Sequence, residues 1–166
     1  FLRWSEMAMF TPVMRTHEGN RPDTNFQYYE DEDCMGQLAR LVDIYTMLAP
    51  YMKTLVKENA EKGIPVQRPL FLHHEEDKKA YAIQYEYLLG RDLLVAPVYL
   101  EARENWDVYL PEGEWVHLWT GDPYQGGDVN VDATLGYTPA FYLRDSEYAP
   151  LFEDIRRKYG TGAVAD

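Results

Sequence analysis

The chain has 166 residues, of which 46% are apolar and 14% aromatic, and this content is enough for a hydrophobic core and excludes an intrinsically disordered protein. The formal net charge of −12 at pH 7 argues against nucleic acid and anionic membrane surfaces as partners, because both attract positively charged proteins. The single cysteine, Cys34, cannot form an internal disulfide, and no stretch approaches the roughly 18 apolar residues of a membrane span. We expect no membrane span, and a reducing, cytoplasmic location fits.

The first ten residues, FLRWSEMAMF, predict the end of a buried helix, because their apolar side chains recur at spacings of two to four. The chain begins with Phe inside this amphipathic pattern, and we therefore expect a piece of a longer protein. The next stretch, PVMRTH at residues 12–17, predicts a short buried strand. Such a strand would deliver Arg15 and His17 to its end and to the loop beyond.

A long helix is predicted from Asp33 to Gly63, where apolar residues recur at steps of three and four. Asp31 or Asp33 would cap its N-terminus. Pro50 would kink it, because proline removes a backbone donor, and Gly63 would end it. The preceding loop, EGNRPDTNFQYYEDED, is rich in turn-forming residues. A strand followed by a helix is the unit of an α/β layer.

After Pro65 the pattern changes to short extended runs separated by turns, which is typical of an all-β sandwich. The segment KKAYAIQYEYLLG is ambiguous and is predicted to include a helical turn or two. The tail APLFEDIRRKYG predicts a short closing helix. The predicted strands lie in VQRPLFLHH, LLVAPVYL, NWDVYLP, EWVHLWTG, DVNVDA and PAFYLR.

Four segments that follow one another along the chain carry a family resemblance. They are RWSEMAMFTPVMRTHEGNRP, RPLFLHHEEDKKAYAIQYEYLLGRDLLVAPV, VYLPEGEWVHLWTG and YQGGDVNVDATLGYTPAFYLRDS. Together they resemble the C-terminal third of glycoside hydrolase family 31, the α-glucosidase and α-xylosidase clan. Within that family, MRTHEGNRP is most similar to the bacterial sulfoquinovosidases, which release a sulfonated sugar from sulfoquinovosyl glycerol and its lipid.

The resemblance implies an α/β part followed by an all-β part. Residues 1–64 would be the last strand and helix of a (β/α)8 TIM barrel, and residues 65–150 an antiparallel β-sandwich domain. Residues 151–166 would form the closing helix and tail. In such barrels the active site lies at the C-terminal ends of the strands, which is where RTHEGN would fall.

The resemblance also implies retaining hydrolysis of an α-glycoside by two carboxylates, without a cofactor or a metal. Both carboxylates in the family are aspartates on earlier strands, so neither is assigned here, and the residues that hold the sulfonate also precede Phe1. His17 aligns with a histidine that hydrogen-bonds a sugar hydroxyl, and Arg15 with a supporting residue near the catalytic acids. The implied partners are a small glycoside, the remainder of the same enzyme, and a second copy in a homo-oligomer. This chain alone is expected to be inactive.

Each candidate also has a purely structural interpretation. His17 could be only a hydrogen-bonded histidine at a strand end, and Arg15 could pair with a neighbouring acid. Glu18 beside His17 invites a metal site, but adjacent residues of an extended chain face opposite sides. The HHEEDKK run at residues 73–79 fits a solvated turn better than a ligand cluster.

The sequence is also compatible with two alternatives to a sulfoquinovosidase. One is an α-glucosidase or α-xylosidase of the same family. The other is a non-catalytic carbohydrate-binding domain, in which exposed aromatic side chains of the sandwich would stack on sugar rings. Trp106, Trp115 and Trp119 are the relevant tryptophans, and alternating strand positions favour core and rim packing for them over a binding platform.

Overall fold

A computed structural model describes residues 1–17, 19–21 and 23–162. The described residues form four α helices, two single-turn 3₁₀ helices and two antiparallel sheets. The α helices are α1 (Leu2–Ala8), α2 (Glu32–Met47), α3 (Ala49–Lys62) and α4 (Ala149–Tyr159), and the 3₁₀ helices are Tyr28–Glu30 and Leu70–Leu72. Within this described part, no helix combines the length and the hydrophobicity needed to cross a bilayer.

The helical pair α2 and α3 corresponds to the single long helix that the sequence predicts. Asp31 caps α2 with its side chain, whose Oδ1 accepts a hydrogen bond of 2.7 Å from the backbone N–H of Cys34. Pro50 lies in the first turn of α3, where a missing N–H costs nothing, so the chain breaks at Leu48 instead of kinking at the proline. Gly63 ends α3 at a φ of +73°, as predicted.

The larger sheet has six antiparallel strands among the described residues, in the order β1-β2-β3-β8-β5-β6, and the smaller sheet pairs β4 with β7. The register of the smaller sheet runs from Asn105 opposite Asp132 to Leu110 opposite Gly127. The strands are β1 (Gln67–Arg68), β2 (Tyr87–Leu89), β3 (Leu93–Val95), β4 (Asn105–Leu110), β5 (Trp115–His117), β6 (Pro123–Tyr124), β7 (Gly127–Asp132) and β8 (Ala140–Leu143).

The six-stranded sheet is buried on both faces. Leu93 and Val95 of β3 face a core shared with all the long helices, whereas Leu94 between them faces a second core shared with β4 and β7. This alternation is the two-residue period of a strand, and burial on both sides explains the continuous apolar run LLVAPV. The molecule therefore has three layers: helices, the large sheet and the small sheet.

Two local predictions differ from the structure. The stretch VQRPLFLHH contains only the short β1, because Pro69 cannot donate to the ladder and the chain turns into the 3₁₀ helix that follows. The ambiguous segment KKAYAIQYEYLLG contains β2 and isolated turns instead of helix. Gly90 is the reason, since its φ of +65° makes the tight turn that pairs β2 with β3.

Candidate active-site segment

The predicted strand at residues 12–17 is not paired with another strand in the described part of the chain. It also differs from the prediction in burial, because the Val13 side chain is 67% exposed. A strand exists only where a neighbouring strand supplies hydrogen-bond partners, and the described residues place no such neighbour beside this run. The run nevertheless has a defined position between α1 and α2.

Hydrogen bonds from three elements hold the beginning of this run. The hydroxyl of Tyr45 in α2 donates to the carbonyl of Pro12 at 2.9 Å, and the hydroxyl of Tyr87 in β2 donates to the carbonyl of Phe10 at 3.1 Å. The hydroxyl of Thr11 lies 2.7 Å from the carbonyl of Ala8 at the end of α1. The run is therefore attached to both the helical layer and the sheet before it reaches Arg15.

Arg15 and His17 are both exposed. Arg15 lies beside a groove of about 400 Å³ between α1 and α2. Met14 packs partly against the core shared by the helices and the sheet, so it holds the run against the rest of the fold. The walls of the groove are Ser5, Ala8, Met14, Arg15, Thr16, Tyr28, Met35, Leu38, Ala39 and Val42.

The loop beyond His17 is closed by its own hydrogen bonds. The backbone N–H groups of Thr24 and Asn25 donate to the carbonyl of Arg21 at 3.0 and 3.1 Å. The backbone of Gln27 donates to the Glu30 carboxylate at 3.2 Å in a capping box. Glu18, for which the sequence left a metal interpretation open, lies outside the described residues. Within the described ranges no three His, Cys, Asp or Glu side chains are grouped as metal ligands.

Glu6 is a buried carboxylate that the sequence analysis did not single out. It lies in α1, accepts the backbone N–H of Gly136, and pairs with Arg3 at 3.0 Å. Burial raises its pKa, while the Gly136 N–H and Arg3 act in the opposite direction. The single carboxylate in the mostly apolar FLRWSEMAMF was the available signal. Its contacts join α1, and so the start of the 12–17 run, to the loop before β8.

The HHEEDKK run was predicted to be a solvated turn, but its first residue, His73, is less exposed than that prediction implies. His73 is half-buried, and its Nε2 lies 2.8 Å from Nη1 of Arg68, a buried arginine that also pairs with Glu58 of α3. Because arginine can only donate, Nε2 accepts and the imidazole is neutral. Burial, followed by the charge of Arg68, lowers the pKa of His73. This cluster joins α3 to the start of the large sheet.

The aromatic side chains largely follow the packing interpretation. Trp115 and Trp119 are each 1% exposed. Their indole N–H groups donate to the carbonyls of Pro111 at 2.8 Å and Thr138 at 2.7 Å, so both tryptophans are satisfied in the core. Trp106 is only half-buried and lies beside a surface groove.

Known proteins share this fold and sequence. The model of the glycosyl hydrolase family 31 C-terminal domain matches residues 63–146. The sulfoquinovosidase of Escherichia coli is 52% identical over 155 residues, which are 93% of this chain and 23% of that protein. The sulfoquinovosidase of Agrobacterium fabrum is also 52% identical, over 157 residues, 93% of this chain and 24% of that protein.

A solved structure has nearly the same backbone. It is a family 31 sulfoquinovosidase from E. rectale in complex with the aza-sugar inhibitor IFGSQ, with a TM-score of 0.95 and 72% identity, covering 96% of this chain and 24% of that one. The chain thus spans about a quarter of the length of the relatives that it matches. Because the family model matches just over half of its residues, the chain belongs to glycosyl hydrolase family 31, whose C-terminal domain it contains.

Proposed function

We propose that this chain is the C-terminal part of a retaining α-glycoside hydrolase, an α-sulfoquinovosidase that acts on sulfoquinovosyl glycerol and sulfoquinovosyl diacylglycerol. The observation that carries the proposal is the 72% identity and TM-score of 0.95 to the E. rectale sulfoquinovosidase. The motif MRTHEGNRP at residues 14–22 is the local feature that supports the same subfamily.

The proposed architecture divides the chain into the end of a (β/α)8 barrel at residues 1–64, a β-sandwich at residues 65–150 and a closing segment at residues 151–166. Two features support it. The large and small sheets pack face to face through one core, as sandwich sheets do. The apolar side chains of Val13, Met35 and Val42 are 67%, 46% and 45% exposed, which fits a surface that upstream barrel strands and helices cover.

The proposed chemistry needs two carboxylates supplied by earlier segments of the same enzyme. One attacks the anomeric carbon, and the other protonates the leaving oxygen and later activates water. His17 would donate or accept a hydrogen bond at a hydroxyl of the bound sugar. Arg15, beside the groove between α1 and α2, would support the region of the catalytic acids. A cytoplasmic location belongs to the same proposal, and the free, buried Cys34 fits a reducing compartment.

Substrate preference of the complete enzyme tests this proposal. We expect hydrolysis of a 4-nitrophenyl α-sulfoquinovoside with a kcat/KM far above that for the matching α-glucoside and α-xyloside. The three substrates share a leaving group, so differences report on sugar recognition. Preference for a neutral sugar would identify an α-glucosidase or α-xylosidase instead. Binding of sulfoquinovose without turnover of any glycoside would favour the non-catalytic alternative.

A further inference from the structure

A second surface groove, of about 550 Å³, lies beside the small sheet. Three aromatic side chains line it: Tyr85 before β2, Tyr99 after β3 and Trp106 in β4. The ring centroids of Tyr85 and Tyr99 are 4.6 Å apart, and those of Tyr99 and Trp106 are 5.0 Å apart with the ring planes at 89°. The rings therefore form a corner instead of a flat platform.

Two of these rings are exposed on the surface that the described residues form. Tyr85 is 56% exposed and Tyr99 is 57% exposed, whereas Trp106 is half-buried. A protein of this size normally buries most of its large aromatic surface, because such side chains contribute strongly to the core. Aromatic side chains that remain exposed and in mutual contact are typical of a binding surface.

Polar side chains surround the aromatic corner. Gln84, Asn105 and Asp107 line the same groove, together with Arg103 and Glu86. Amide and carboxyl groups offer both hydrogen-bond donors and acceptors at fixed positions, which is the pattern of a site that orients a small polar ligand. The groove thus combines apolar ring faces with hydroxyl-binding groups.

Glu86 has hydrogen-bonding capacity that the fold leaves unused. Its Oε1 accepts the backbone N–H of Tyr109 at 2.9 Å, and its buried Oε2 has no hydrogen-bond partner among the described residues. A buried oxygen without a partner costs roughly 1 to 3 kcal/mol, so such groups usually serve a purpose. Burial also raises the pKa of Glu86 to about 7, so that a large fraction of this side chain is a neutral acid at neutral pH and can donate.

We infer that this groove binds a neutral pyranose unit of a glycan, with the sugar packed in the corner formed by Tyr85, Tyr99 and Trp106 and its hydroxyls bonded by Glu86 and Asn105. A pyranose presents a face of polarised C–H groups, which aromatic faces attract, and a rim of hydroxyls, which amides and carboxyls bind. A pyranose therefore matches both features of this groove.

Charge favours a neutral sugar over an anionic one. The groove contains the carboxyl groups of Glu86 and Asp107 against the single guanidinium of Arg103, and the whole chain has a formal net charge of −12. Because Arg103 and Asp107 offset each other and Glu86 is partly neutral, the groove offers no net positive charge to a sulfonate or phosphate, and the negative charge of the whole chain disfavours either. The inference is independent of the proposed function, because the described residues that line this groove and those that line the groove beside Arg15 do not overlap.

Hydrogen exchange of the complete protein with maltotriose in excess tests the site directly. We expect slower amide exchange in peptides that cover residues 83–86 and 99–107 when the trisaccharide is present, and no such change with sulfoquinovose. Protection elsewhere without any in these peptides would overturn the inference. Peptides that are already fully protected without sugar would overturn it as well, since another part of the protein would then occupy the groove.

The affinities of two groove variants and a matched control show whether maltotriose binds in this groove. Tyr85→Ala and Tyr99→Ala should each weaken maltotriose binding about tenfold in isothermal titration, because each removes one stacking face. Tyr81→Ala is the control: Tyr81 lies four residues from Tyr85, is 57% exposed and does not line the groove. Equal affinities in all three variants, at unchanged melting temperature, would refute the inference.

Discussion

The guanidinium of Arg40 in α2 donates a hydrogen bond of 2.7 Å to the carbonyl of Gly136, which lies 96 residues further along the chain. It donates a second, of 3.0 Å, to the carbonyl of Tyr159 in α4, and its Cζ lies 4.2 Å from the ring centroid of Tyr137. Glu6 accepts the N–H of the same Gly136. One arginine thus joins α2, α4 and the loop before β8.

We predict that Arg40→Ala lowers the free energy of unfolding by about 3 kcal/mol, because it leaves the carbonyls of Gly136 and Tyr159 without their donor and removes a positive charge that acts on buried Glu6. Arg40→Lys should recover only part of this loss, since an ammonium cannot reproduce the planar, forked geometry. Urea titration of the three proteins measures the difference. Arg157→Ala is the control, because Arg157 is 77% exposed and pairs with Asp154 at the surface, so its removal should cost less than about 0.5 kcal/mol.

Two glycines with open space around them should respond in opposite directions to alanine. Gly63 has a φ of +73° and nothing within 4 Å of an added Cβ, so Gly63→Ala should cost about 1 kcal/mol from backbone strain alone. Gly36 lies inside α2 and also has nothing within 4 Å, so Gly36→Ala should add about 0.5 to 1 kcal/mol of stability. Melting temperatures that shift in the same direction would contradict this assignment.

The stability contributed by Glu86 should fall as pH rises. Burial raises its pKa from 4.5 to about 7, while Lys79 acts to lower it and Asp128 to raise it. Between these two pH values the folded protein binds more protons than the unfolded chain, so the free energy of unfolding decreases with pH. Glu86→Gln should remove this slope. The comparison is the pH dependence of the melting temperature, with and without the substitution, from pH 4.5 to 7.

His117 should make the protein less stable as the pH falls, which is the opposite of the effect of Glu86. It is buried in the large sheet against Phe141, and burial lowers its pKa from 6.5 to about 4. Between pH 6.5 and about 4, His117 is protonated in the unfolded chain but stays neutral in the folded protein. The free energy of unfolding therefore falls as the pH decreases through this range. His117→Phe should flatten the acid side of the stability profile. An unchanged acid limb would mean that another group governs unfolding there.

His17 and Arg15 carry the sharpest prediction on activity. In the complete enzyme, His17→Ala should cost about 1 to 3 kcal/mol of transition-state stabilisation, measured as the change in kcat/KM for an α-sulfoquinovoside. Arg15→Ala should also lower kcat/KM, and Arg15→Lys should restore part of it if positive charge near the catalytic acids is what matters. His17→Ala with wild-type kcat/KM and an unchanged melting temperature would remove His17 from the site.

The spacing of apolar residues correctly predicted those helices whose conformation is decided by nearby residues. The apolar steps of α2 and α3, the capping Asp31 and the terminal Gly63 are all local features, and the structure has each of them. β2 was not predicted, because it forms by pairing with β3 across the turn at Gly90. That turn also needs glycine for a long-range reason: a Cβ added at Gly90 would clash with the hydroxyl of Tyr51 in α3. That contact joins residues far apart in sequence.

The same distinction applies to the candidate site. Arg15 and His17 were singled out from their residue types and the family resemblance, and their proposed roles remain predictions. The contacts that hold the run in place could not be foreseen, because the hydroxyls of Tyr45 and Tyr87 reach it from α2 and β2. The position of Glu6 beside Gly136 likewise depends on a long-range contact, although Glu6 was visible in the sequence as the single carboxylate of α1.

The core that the helices share with the large sheet limits how the protein can be recombined with its relatives. Leu41 of α2 and Tyr51 of α3 pack in one cluster with Leu89, Trp119 and Ile155, which all lie beyond residue 64. A crossover at residue 64 would combine two halves of this cluster that were never selected to fit each other. Family chimeras should therefore inherit residues 1–162 from one parent, with the junction placed upstream, if the hybrid enzymes are to keep their packing density.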